Sequence, residues 1–127
     1  MGSIFSSEIN VIHFEQLNCI LNASIYNTSL INTLSIDAQD CLIHKSIHGQ
    51  YEQTIIASLA KSSPIIIYGM NHNDKSPYLK YHQLHKLGYT NVCVYSGGLC
   101  EWVLLSAYYG SSNFKLTAEC ADLLTLK

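Results

Sequence analysis

An α/β domain, with a mostly parallel central sheet flanked by helices in three layers, is the fold class that this 127-residue sequence predicts. Three observations carry the prediction. Residues 65–68 and 92–95 are apolar runs that do not alternate with polar residues, as in strands covered on both faces. Stretches with apolar residues at helical spacing stand between and beside them, so strands and helices alternate along the chain. Glycine and proline fall at the junctions of these runs.

Taken in order, residues 11–13 read as a short strand, and Phe14, Leu17, Cys19, Ile20 and Leu21 recur at roughly helical spacing after it. Residues 22–33, rich in Asn and Ser, read as a loop. Residues 34–37 read as a short strand ending in an acid, and 41–49 as an irregular segment. Tyr51, Ile55, Ile56, Leu59 and Ala60 form a stripe that predicts a helix over 51–61. Pro64 opens the strand at 65–68. Ser76 as N-cap, Pro77 at the first helical position and Gly88 as the residue beyond the end bracket a helix through Leu87. A strand over 91–95 follows, Gly97-Gly98 turns the chain, and residues 99–109 read as a helix with Trp102 and Leu105 turned inward. Thr117 caps a last helix running to Leu126.

Length and composition describe one domain over residues 1–127, with 1–9 expected to be a flexible start. Charged residues make up 13% of the chain, about half the usual share of roughly 25%, and Asn, Ser, His and nine Tyr supply much of the polarity. Such a surface suits a protein partner or membership of a large complex. Net charge is −2 and all seven basic residues are Lys, which argues against a nucleic-acid groove or a bidentate anion clamp.

Cys19, Cys41, Cys93, Cys100 and Cys120 are odd in number, form no CxxC and mostly sit among apolar neighbours, as free thiols of a reducing compartment do. Asn22-Ala23-Ser24 and Asn27-Thr28-Ser29 match the glycosylation pattern but follow no secretory leader, so an intracellular, cytoplasmic, non-secreted protein is expected. Gly2, in Met1-Gly2-Ser3-Ile4-Phe5-Ser6, fits the N-myristoylation pattern. One acyl chain without a polybasic patch gives only weak membrane association, and Met-Gly-Ser is also a common remnant of recombinant expression.

The run Ile65-Ile66-Ile67-Tyr68, then a loop and helix, then Leu87-Gly88-Tyr89-Thr90-Asn91-Val92 and Gly97-Gly98 with Trp102, resembles the second half of a rhodanese-like domain. Upstream, Ser35-Ile36-Asp37 resembles the strand end that the family writes as IDVR, and residues 41–47 resemble its GHIPGAI segment at the apolar positions. The tryptophan helix ending in Tyr109-Gly110 is similar to rhodanese-like sequences of protists and large DNA viruses. The likeness covers roughly residues 11–105 and implies the rhodanese-like fold.

It also implies where chemistry would sit. The family's nucleophile is a cysteine at the first position of the active loop, its pKa lowered by loop amides and the helix dipole so that it accepts sulfane sulfur as a persulfide. That position falls on Gly69, or on Met70 or Asn71 if the extra length of this loop precedes it, and no cysteine occurs between Cys41 and Cys93. The chain also lacks any arginine to hold an anionic substrate.

The implied protein is a catalytically inactive rhodanese-like domain acting as a protein-interaction or structural module, with a degenerate loop of Gly69, Met70, Asn71, His72, Asn73, Asp74 and Lys75. The alternatives are an active sulfurtransferase or phosphatase-like enzyme of the same fold, and a structural subunit of a large assembly. The loop has two readings of its own. In one, Gly69, Asn71, Asn73 and Lys75 hold a small anion against free amides at a helix N-terminus. In the other, Asp74 or Asn73 turns back and accepts the hydrogen bonds of those amides.

His72, Asp74 and Ser76 supply the residue types of a base, its orienter and a nucleophile, but within too short a run, and Ser76 is wanted as a cap. His44 and His48, or His82 and His85, have the spacing of two metal ligands without a third and fourth, so neither metal nor cofactor is called for.

Overall fold

The computed structural model describes residues 9–23 and 27–117. Five strands, β1 (Val11–Ile12), β2 (Ser29–Asn32), β3 (Ser46–Ile47), β4 (Ile65–Tyr68) and β5 (Val92–Tyr95), pair in parallel throughout, in the order β1-β5-β4-β2-β3. All four side chains of the central β4 are buried. Strand alternation sends Ile65 and Ile67 to one face of the sheet and Ile66 and Tyr68 to the other, so each face needs its own cover.

Helices supply that cover. On one face α1 (Phe14–Asn22) and α4 (Gly98–Tyr109) bring Leu17, Leu99, Trp102 and Val103 against Leu30, Ile66, Tyr68 and Tyr95. On the other, α2 (Glu52–Ala57) and α3 (Ser76–Lys86) bring Ile56, Tyr81 and Leu84 against Ile31, Ile65, Ile67, Val92 and Val94. The result is the expected three-layer α/β arrangement. Trp102 is the largest fully buried side chain; its Nε1–H donates to Lys115 O at 2.8 Å, and the Tyr95 and Phe114 rings meet it edge-on at 5.9 and 5.1 Å.

The first half departs from the sequence reading. β2 lies inside the stretch read as a loop, and residues 34–37, read as a strand, lead into a 3₁₀ turn at Ile36–Ala38. The reason is visible in burial: Leu30 and Ile31 are enclosed between β4 and β3, whereas Ile36 is 65% exposed. The strand end sought at 35–37 therefore lies at Asn32. The helix read over 51–61 is shorter, with a 3₁₀ turn at Gly49–Tyr51 ahead of α2. Lys45 stands at φ 74°, in the left-handed region, at the position where the segment it resembles has a glycine.

Three further expectations change. Ile9, read as part of a flexible start, packs against the α2–α3 side of the core, and Asn10 O accepts from Val94 N–H at 2.8 Å. Cys19, Cys93 and Cys100 are free thiols, but Cys41 is disulfide-bonded. Lys75, not Ser76, is the N-cap residue of α3. Gly2, Ser24, Cys120 and the helix expected after Thr117 lie outside the described residues. Among the described residues no helix is long and apolar enough to cross a membrane.

Candidate functional site

The chain leaves the carboxyl end of β4 at Tyr68, makes a loop over residues 69–75 and enters α3. Crevices at the carboxyl ends of parallel strands are where α/β sheets hold ligands, so the question is what the loop's backbone donors do. Two of them, the amides of Met70 and Ser76, are taken by the loop's own carboxylate. Asp74 Oδ2 accepts from Met70 N–H at 2.9 Å, and Oδ1 accepts from Ser76 N–H at 2.9 Å and from Ser76 Oγ at 2.8 Å. Asn71 Oδ1 accepts from Asn73 N–H at 3.0 Å, and Asp74 N–H donates to Asn71 O at 3.1 Å.

Burial by itself raises the pKa of Asp74, but the hydrogen bonds from Met70 and Ser76 together outweigh it and hold the carboxyl below the ordinary aspartate value. The carboxylate also sits at the positive end of the α3 dipole.

This arrangement explains the residue at the head of the loop. A Cβ at Gly69 would overlap Asp74 Oδ2 and stand 2.9 Å from both Asp74 Cγ and Pro77 Cδ. The place where a side chain would project is already filled. The inner side of the loop is fastened to α4, since Leu99 N–H donates to Gly69 O at 2.9 Å and Cys100 N–H to Met70 O at 2.8 Å. Gly98, at φ 73°, passes so close that an added Cβ would be 2.7 Å from Asn71 N. Gly98 is thus required by the loop it supports as well as by its own backbone conformation.

Of the loop residues named from the sequence, the structure brings Gly69, Met70 and Asp74 into contact, with Ser76 joining them. Asn71, His72, Asn73 and Lys75 are exposed on the outer side. His72 has no part in the Asp74 cluster, so a His72–Asp74–Ser76 triad is not assembled: Ser76 donates straight to the carboxylate. His85 stacks on Tyr81 at 6.0 Å and His82 meets the same ring edge-on. His48 Nδ1 accepts from Gln50 N–H. Burial, then Lys115 and Lys45, lower the pKa of His44.

Two participants escaped sequence reasoning. Thr33, just past β2, places Oγ1 2.6 Å from Ser76 Oγ, and its N–H donates to Tyr68 O at 2.9 Å, tying the β2 exit to the loop. Tyr95, at the end of β5, donates its hydroxyl to the Glu101 carboxylate; burial, then that carboxylate, push the phenol pKa far up.

Comparison with known proteins agrees with the fold. The model of the rhodanese-like domain family matches residues 20–105. No curated protein matches the chain. Among solved structures, the Alr3790 protein from Anabaena sp. superposes with a TM-score of 0.66 at 18% identity, over 88% of this chain and 83% of that one. The rhodanese-like domain of the same protein gives 0.53 at 22% identity, over 62% and 82%. A structure of its Rhodanese_3 like domain gives 0.54 at 18%, over 72% and 99%. At these identities the likeness to solved structures is one of fold.

Proposed function

The chain belongs to the rhodanese-like domain family, and from that premise we propose that it is a protein-interaction module without sulfurtransferase activity. Sulfane-sulfur transfer through a persulfide needs a thiolate at the head of the loop and loop amides free to stabilise it. One observation carries the reading: Gly69 stands at the head, and the Asp74 carboxylate accepts from the N–H groups of Met70 and Ser76. A persulfide there has no side chain to form on, and the amides of Met70 and Ser76 already serve a carboxylate. What remains is a well-packed scaffold with few charges and several large apolar groups on its surface, among them Leu79, Leu104 and Tyr108.

The test is an assay of the purified protein with thiosulfate or mercaptopyruvate as donor and cyanide as acceptor. No thiocyanate is expected above a heat-killed control. Cyanide-dependent thiocyanate formation, abolished by replacing any one of the five cysteines, would overturn the proposal.

A further inference from the structure

We propose that the outer face of α3 docks an acidic polypeptide segment carrying a leucine-sized side chain between its carboxylates, an inference that rests on the interaction-module reading. Pro77, Tyr81 and Leu84 fasten the inner face of this helix to the core. On the outer face Lys75, Leu79, His82 and Lys86 follow at intervals of four, three and four residues, which places them in one stripe. Leu79, near its middle, is 70% exposed.

The charge of this face opposes that of the molecule. The chain is net −2, yet four of its seven lysines, Lys61, Lys75, Lys80 and Lys86, line the grooves along α3. Among the described residues the only carboxylates lining those grooves are Glu52 and Asp74. Glu52 is paired with Lys80 at 2.5 Å, and Asp74 is turned into the loop. Lys75 and Lys86 are thus the unopposed ends of the stripe. An apolar centre between two cationic ends is the complement of an acidic segment with one apolar anchor.

The dimensions are those of a short peptide. Eleven residues of helix separate Lys75 from Lys86, about 16 Å at the α-helical rise of roughly 1.5 Å. An extended segment of about five residues, at roughly 3.3 Å each, spans the same distance. The groove on the Leu79 side, of about 560 Å³, is lined by Thr33, Leu79, His82 and Lys86 and gives the anchor a place to enter. A nucleic-acid backbone would meet the lysines but gain nothing from Leu79, and the chain has no arginine to grip phosphate bidentately.

The probe is the peptide Ser-Glu-Glu-Ser-Leu-Ser-Ser-Glu-Glu-Ser, titrated into the full chain labelled with ¹⁵N. Saturable amide shifts confined to residues 72–87 are expected, with a Kd of about 0.1–1 mM. They should weaken by roughly tenfold, about 1.4 kcal/mol, in Leu79→Ser and again in a Lys75→Glu/Lys86→Glu double variant. All three positions are exposed, and an unchanged spectrum for the strand amides verifies the fold of each variant.

The proposal fails if the peptide gives no shift at 5 mM, roughly the weak end of measurable affinity. It fails equally if a leucine-to-serine peptide or an oligothymidylate of equal charge binds the face as tightly. Shifts at Leu104 and Tyr108 instead would also overturn it while sparing the interaction-module reading. Thiocyanate formation, in contrast, would overturn that reading and leave the titration to decide the fate of α3.

Discussion

Two neighbouring strands leave the carboxyl edge of the sheet in different ways. Where β4 ends, the loop is closed by a charged group: Asp74, half-buried, gathers two amides and a hydroxyl. Where β2 ends, the chain is held by a neutral pair. Asn32 Nδ2 donates to Gln39 Oε1 at 3.0 Å and Gln39 Nε2 returns a bond to Asn32 Oδ1 at 2.8 Å, with both side chains buried. Gln39 also accepts from Gly49 N–H and donates toward Leu34 O and Ser35 O. A carboxylate at the rim uses strong charge-assisted bonds but depends on pH and competes with anions. An amide pair in the interior is indifferent to both, yet truncating it leaves buried partners with nothing to bond.

The contrast can be broken at its strongest point. Gln39→Ala leaves the Gly49 amide without its acceptor and takes one partner from each side-chain atom of Asn32, which keeps only Ile47 O and Leu34 N–H. It should lower stability by about 3 kcal/mol in urea unfolding, because each buried group left short of a partner costs roughly 1–3 kcal/mol. The loss should be the same at pH 4 and pH 7.

At the other exit, Gly69→Ala drives a methyl into the Asp74 carboxylate and should cost about 1–3 kcal/mol, as overpacking does. In an Asp74→Ala background the same change should cost less, so a double-mutant cycle with additive losses would contradict the assigned contact.

Asp74→Ala alone should cost about 1 kcal/mol at neutral pH, the usual net size of a lost hydrogen bond, since the amides of Met70 and Ser76 lose their acceptor at a partly exposed site. The sign of its pH dependence follows from a folded-state pKa below the unfolded one. The stabilisation is complete above about pH 4, the unfolded value, and is lost as pH falls through the lower folded value. Thermal midpoints of wild type and variant should therefore converge in acid, unlike those of wild type and Gln39→Ala.

The smallest effect is on anion binding. Phosphate should shift the amides of residues 69–78 saturably in Asp74→Ala, and not in wild type below about 50 mM, where only contacts far weaker than millimolar go undetected. Wild-type shifts at low millimolar phosphate would mean that the carboxylate yields its amides readily.

Legibility in the sequence divides along the same line. The β4 and β5 strands, the Gly88 turn and the placement of Trp102 follow from local signals: an unbroken apolar run, a glycine past a helix end, a glycine pair before a periodic stretch. The β2 strand gives no such signal, because Leu30 and Ile31 stand alone between polar residues while residues 34–37 alternate more regularly. What decides is non-local, namely pairing with β4 on one side and β3 on the other, and the Asn32–Gln39 bond seven residues apart. At the site the loop and its ends were legible, and so was the option that Asp74 would take the amides; the choice between that and open donors was not, since it depends on the space beside Pro77. Thr33 was hidden because its strand was misplaced. The bonded state of Cys41 was hidden because apolar neighbours suggest a thiol buried and alone.

The outer strands β1 and β3 are two residues long, against four for each of the three strands between them. A border so brief offers few open backbone groups on which another chain could continue the sheet. Edge-to-edge polymerisation therefore has little template here, and a peptide cannot readily join as an added strand. On the proposed reading, recognition falls to the helical layers, where side chains rather than backbone choose the visitor.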